Sequence, residues 1–164
     1  MKKTIFICIF ALGAFLTINV SNSYAQTNKI RVGAALSYGT QSNSGVALGA
    51  NGYYTVTDNI DVGADFKYYL GAPEHTTFWG INFNGHYRFD TEGEINPYAL
   101  AGINITNWSV DIGPFGNAGG SKVGLNVGGG AEYPLDFGAV FGEAKYILST
   151  YDQLVISAGV RFSL

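Results

Sequence analysis

Cysteine is almost missing from this sequence. The single one, Cys8, lies in the first apolar run, so the remainder of the chain can form no internal disulfide. Basic residues are scarce as well. Nine Lys and Arg stand against twelve Asp and Glu, a net charge of −3, and they form no basic patch. Binding to nucleic acid, which needs such a patch, is excluded on that ground. Beyond residue 25 no segment repeats its apolar residues at a helical period, so a helical bundle is excluded too. What the chain has in quantity is glycine, 23 residues, and aromatic rings, 15% of the sequence. That glycine share is about twice the usual one of roughly 7%. The combination points to strands that bend and twist.

The first 25 residues are of a different kind. Lys2 and Lys3 precede the nearly continuous apolar run "TIFICIFALGAFLTINV", and "SNSYA" follows it with small Ser23 and Ala25. This is the plan of a secretory signal peptide, cut between Ala25 and Gln26. A retained anchor helix is the rival reading, but the small-x-small exit favours cleavage. Cys8 lies too early to be the lipid-bearing first residue of a mature lipoprotein. Residues 1–25 are therefore expected to be a signal peptide and 26–164 a single domain. Removing Lys2 and Lys3 leaves seven basic and twelve acidic residues, a net charge of −5.

Eight segments of the domain alternate apolar and polar residues with a period of two: 29–38, 46–56, 60–70, 78–89, 96–107, 122–133, 139–149 and 153–164. Each runs to roughly ten to twelve residues, above the soluble mode of about five or six and suited to a tilted bilayer crossing of about nine to eleven. In 60–70, Ile60, Val62, Ala64, Phe66, Tyr68 and Leu70 share one face. In 96–107, Ala99, Ala101, Ile103 and Ile105 form the expected apolar face, with Leu100 opposed to it. In 139–149, Phe141 and Ile147 oppose Val140, Ala144, Tyr146 and Leu148. Connections around "TDN", "DTEGEI" and "PLDFG" are compact, whereas "GTQSNSG", "GAPEHTT" and "WSVDIGPFGNAGGS" are longer. Short turns on one side and longer loops on the other are a habit of bacterial outer-membrane barrels. The seventh connection, "TYD", is short and breaks the trend.

The charges sort by face. Arg31, Asp61, Asp65, Lys67, Arg88, Lys122, Glu132, Glu143, Lys145 and Arg161 all fall opposite the apolar set, and Lys29 and His86 share that parity. A basic residue on a lipid-facing midplane costs about 2–4 kcal/mol, so a surface that meets lipid must exclude charge. The apolar faces here do. The aromatics sort by height. If the first strand runs outward, Tyr38, Tyr68, Trp79 and Tyr146 lie near the outer strand ends, and Tyr54, Tyr87, Phe89, Tyr133 and Phe162 near the inner ends. Two such bands are what the two membrane–water interfaces select. The expected fold is all-β: an eight-stranded antiparallel up-and-down transmembrane barrel, with polar residues inside. A soluble periplasmic lipocalin-like barrel, apolar inside and holding a ligand, is the alternative of equal strand count. A β-sandwich would not separate its aromatics into two bands.

"NPYALAGINI" at 96–105, "GLNVGGGAEYPL" at 124–135, "FGEAKY" at 141–146 and "SAGVRFSL" at 157–164 carry a resemblance. In order and spacing they resemble the small outer-membrane barrels: the opacity proteins, OmpX, OmpW and the OmpA membrane domain. The resemblance extends over residues 29–164. It implies the outer membrane of a Gram-negative bacterium and insertion by the barrel-assembly machinery, which reads a terminal aromatic. Here Phe162 stands two residues early and Leu164 is last. The family includes structural, adhesive, invasive and enzymatic members, so the fold does not settle the function.

Eight strands enclose a space about wide enough for side chains to fill. Six basic and four acidic residues share it, so the expectation is a plugged lumen with a buried salt-bridge network rather than a channel. A lipid-modifying enzyme is a second alternative. Small barrels resembling lipid A deacylases place His and Ser two apart on the outer wall. Here His86 leads to Tyr87 and Arg88, and His75 to Thr76 and Thr77. No catalytic, cofactor or metal residues are therefore expected; Asp111 and Glu74 have no partner pattern. The glycine runs at 119–120 and 128–130 lack the strand–loop–helix setting of phosphate binding. The second run fits barrel curvature or relief for a neighbouring side chain. Any contact with a surface partner is expected in the loop 108–121, through Trp108, Ile112 and Phe115, unless that loop folds over the barrel mouth. Lipid and lipopolysaccharide would surround a monomer.

Overall fold

The computed structural model describes residues 29–164 apart from 42, 43, 74 and 151, with Phe115 described in its backbone alone. The expected signal peptide lies outside the described residues. Eight strands follow one another: β1 (Ile30–Gly39), β2 (Gly45–Thr57), β3 (Ile60–Tyr69), β4 (Thr76–Arg88), β5 (Asn96–Asp111), β6 (Asn117–Leu135), β7 (Gly138–Leu148) and β8 (Gln153–Ser163). Each pairs antiparallel with its chain neighbours, and β1 pairs with β8, which closes the barrel. Closure leaves the strands no open edge around the barrel wall.

The period of two decides what each face meets. On β8, Leu154, Ile156 and Ala158 are exposed on the outer wall while Gln153, Val155 and Ser157 are buried inside. On β3, Val62, Phe66 and Tyr68 look outward while Asp61, Asp65, Lys67 and Tyr69 are buried. Leu100, Phe141 and Ile147, which oppose the apolar sets of their strands, are buried in the barrel interior. The interior is thus polar in bulk but filled in places by apolar side chains. Near the end away from the chain termini, Ala47, Tyr69 and Phe78 form a small cluster, with the Tyr69 and Phe78 rings 4.9 Å apart edge to face.

The turns at the terminus end are short at 58–59 and 136–137 and longer at 89–95. The segment 108–121 departs from the expectation. It is a β-hairpin, not a loop: β5 and β6 stay paired from Thr106↔Lys122 out to Asp111↔Asn117, leaving five residues at the tip. The tip makes a single turn of 3₁₀ helix, Gly113–Phe115, between Gly113 and Gly116, both at positive φ. Glycine-rich β6 would not be extended by its own preference. The ladder to β5 holds it so.

Candidate functional site

The barrel interior is built by inward residues of all eight strands. Among the described residues, four cations (Arg31, Lys67, Lys145 and Arg161) and four anions (Asp61, Asp65, Glu132 and Glu143) are buried, so the enclosed charge sums to zero. They form two groups. Toward the terminus end, Arg31 bridges Asp61 and Glu132, the latter at 2.5 Å. Arg161 bridges Glu132 and Glu143, the latter at 3.5 Å. Arg88 reaches Asp61 at 3.4 Å from the rim, where its side chain is 23% exposed, and donates to the Asp58 carbonyl. Farther along the barrel, Lys67 and Lys145 grip the two oxygens of Asp65 at 2.7 and 3.0 Å.

An aromatic layer separates the groups. His86 lies between the rings of Tyr53 and Tyr98, at centroid distances of 4.3 and 4.5 Å. Its Nε2 is 3.9 Å from Glu143, whose carboxylate accepts the Tyr98 hydroxyl at 2.9 Å. The Arg161 guanidinium lies over Phe141 at 3.8 Å and Tyr53 at 4.8 Å. Both tyrosines find room above an inward glycine on the next strand. A Cβ on Gly63 would stand 2.5 Å from the Tyr53 ring, and one on Gly130 would stand 2.5 Å from the Tyr98 oxygen. Gly130 therefore belongs to side-chain relief.

Sequence reasoning placed the charged residues but passed over the amides. Asn82 and Asn84 donate to the two oxygens of Asp65, each at 2.8 Å. Asn104 and Asn126 donate onward to Asn82, and Asn126 also to Asn84. Their parity, shared with His86 and Glu132, was a usable signal. Lys122 has the inward parity too, but it lies beyond the end of β7 and outside the buried set.

Of the aromatics expected in two rows, Tyr38, Tyr54, Tyr68, Tyr87, Phe89, Tyr133 and Tyr146 are exposed on the outer wall, and Trp79 and Phe162 are half-buried there. Phe66 packs beside Trp79, and Phe137 beside Phe162. His86 is 2% exposed and faces inward, away from the outer wall where a deacylase-like site would lie. Trp108 departs from the expected exposed loop patch. It sits in β5, packed against the Ala47, Tyr69 and Phe78 cluster, because the paired hairpin fixes its even-numbered positions inward. Ile112 is exposed at the tip.

A closed eight-strand barrel with this inverted distribution of charge is the geometry against which known proteins can be compared. The family model for the outer membrane protein beta-barrel domain matches residues 8–162. The chain belongs to that family. No curated protein matches it. Among solved structures, Neisserial surface protein A has 21% sequence identity and a TM-score of 0.65, covering 82% of this chain and 96% of its own. The N-terminal barrel of Pseudomonas aeruginosa OprF has 17% identity and a TM-score of 0.63, covering 80% and 96%. The attachment invasion locus protein Ail of Yersinia pestis has 16% identity and a TM-score of 0.56, covering 81% and 96%. At these identities the likeness concerns the fold.

Proposed function

We propose that this protein is an integral, monomeric barrel of a Gram-negative outer membrane that acts by surface contact through the β5–β6 hairpin and has no catalytic role. The observation that carries this reading is the partition of charge. Arg31, Lys67, Lys145, Arg161 and their four carboxylate partners are buried inside, and the outer wall shows apolar side chains such as Leu36, Leu48, Phe83 and Ile156. A lipid-facing wall is what makes that inversion favourable. The aromatic rows fit the same frame. Trp79 and Tyr87 are eight residues apart on β4. That is about 27 Å along a strand, or about 21 Å of depth at a tilt of about 40°, close to the apolar band of about 25 Å.

The reading includes a lumen closed by its own side chains, since the bridged charges and amides leave none of the eight ions in bulk water. Lipid and lipopolysaccharide surround the wall, and the barrel-assembly machinery inserts it. The hairpin is the element with no part in closing the barrel, which is why the contact role falls to it. Ail has been solved with the heparin analogue sucrose octasulfate. The charges here favour another kind of partner. Among the described residues at the hairpin end Lys122 is the sole Lys or Arg, against Asp111 and Asp152. A polyanion would be repelled, and an uncharged or basic surface is preferred.

Deleting residues 111–119 tests the reading in whole cells carrying the protein. The expected result is a barrel that still assembles and resists carbonate extraction, with adherence to host cells or matrix lost. Unchanged adherence would remove the hairpin from the function, and loss of assembly would assign it a structural role.

A further inference from the structure

Outside the barrel wall the sheet is not closed. β6 has 19 residues, and its ladder to β7 begins only at Leu125↔Leu148. Residues 117–124 therefore project eight positions past the end of β7. On one side 117–121 pair with β5, from Asp111↔Asn117 to Asn107↔Ser121. Among the described residues no strand pairs with them on the other side. Gly124, by contrast, is covered, with Leu148 and Ser149 against it.

A row of free backbone N–H and C=O groups is a template for another strand, and proteins commonly blunt it with lysine, proline or a bulge. The stretch 117–121 reads Asn-Ala-Gly-Gly-Ser, with neither charge nor proline. Its side chains are small, so nothing blocks an approaching backbone. The Trp108 indole lies beside Gly120, its Nε1 3.4 Å from where a Cβ would stand. An aromatic or aliphatic side chain on an added strand would rest on that ring across the glycine.

We propose that the free edge of β6 at 117–121 binds an extended segment of an extracellular protein as an added strand, the segment carrying basic or uncharged residues and one bulky apolar side chain. The proposal rests on the surface-contact reading and names the kind of partner. The basic preference follows from Asp111 and Asp152, both exposed at this end of the barrel, against Lys122. A second copy in the same membrane does not fit. Antiparallel pairing of identical edges needs a two-fold axis across the strands, whereas neighbours in one bilayer are related by an axis along the membrane normal. That relation leaves both copies of β6 running in the same direction, with like groups facing.

The test uses the protein in lipid nanodiscs and a blocked seven-residue peptide. The peptide alternates threonine and valine around a central tryptophan, with lysine at each end. Amide hydrogen exchange of Asn117–Ser121 is read by NMR. Binding is expected to slow exchange at the alternate amides that point away from β5, with those already paired to β5 little changed. Methylating alternate peptide nitrogens along one edge, or substituting Trp108→Ala, is expected to weaken binding about tenfold or more. No binding at millimolar peptide, or equal binding of the methylated peptide, overturns the proposal. Pairing of nanodiscs without peptide also overturns it, by making a copy on an apposed membrane the occupant. A third comparison separates it from the broader reading. Proline placed singly at 118 and at 119 removes an edge donor in one of the two variants, since neighbouring N–H groups point to opposite sides. If both variants keep the cell adherence that the 111–119 deletion abolishes, the edge proposal fails and the hairpin reading stands.

Discussion

Replacing Arg161 with methionine removes one guanidinium from the centre of the barrel. Arg161 is 1% exposed and bridges Glu132 and Glu143. After the change Glu132 keeps Arg31 at 2.5 Å, but Glu143 keeps only the Tyr98 hydroxyl at 2.9 Å and His86 at 3.9 Å. The interior passes from four positive and four negative charges to three and four, so one carboxylate is left buried without a full counter-charge. Breaking a buried pair in this way costs about 3–5 kcal/mol, and the cation–π contact with Phe141 adds about 1 kcal/mol. The expected total is about 4–6 kcal/mol. Adding Glu143→Gln restores the balance, so the double variant should recover about 2–3 kcal/mol of that loss. Urea unfolding of the barrel in lipid vesicles, followed by unheated gel mobility, measures each step of the cycle. A single-variant cost below about 1 kcal/mol would refute the reasoning, as would a double variant whose cost equals the sum of the singles.

Other expectations follow from the two faces of the wall. Phe83 is 53% exposed on β4, and Phe83→Arg should cost about 2–4 kcal/mol in the same assay, with the loss absent if that face meets water. Gly130→Ala places a Cβ 2.4 Å from the Gly142 carbonyl oxygen and 2.5 Å from the Tyr98 hydroxyl, so a loss of about 1–3 kcal/mol is expected by overpacking. Tyr98→Phe in that background should leave much of the loss in place, because the backbone contact remains. Planar-bilayer recording should show no conductance step of porin size. A stable open level would contradict the proposal that side chains close the lumen.

The faces were legible because a period of two leaves little choice. Once Phe66 and Tyr68 point to one side, Asp65 and Lys67 must point to the other. The pairing of the charges was not legible. Arg31 and Glu132 are 101 residues apart and meet only because β1 and β8 close the ring. The asparagines were overlooked for another reason: an amide has no charge to mark its face, yet Asn82, Asn84 and Asn126 form the ladder that steadies Asp65. The hairpin was hidden by its own composition. A segment such as Asn-Ala-Gly-Gly-Ser has the local preferences of a loop, and its strand geometry comes from the β5 partner across the ladder. Trp108 turned inward for the same reason.

The central claim is that lipid meets the even-numbered face of β8 and that the odd-numbered face looks into the barrel. Single nitroxide labels at Leu154, Val155, Ile156, Ser157 and Ala158 test it most directly, in a strand segment with no ion pair among the described contacts. The protein is read in lipid vesicles by its collisions with molecular oxygen and with a water-soluble nickel complex. The account predicts oxygen maxima at 154, 156 and 158, where the wall is exposed, and minima at Val155 and Ser157, which are 0% and 3% exposed. Nickel maxima at 154, 156 and 158 would place water on that face and contradict it.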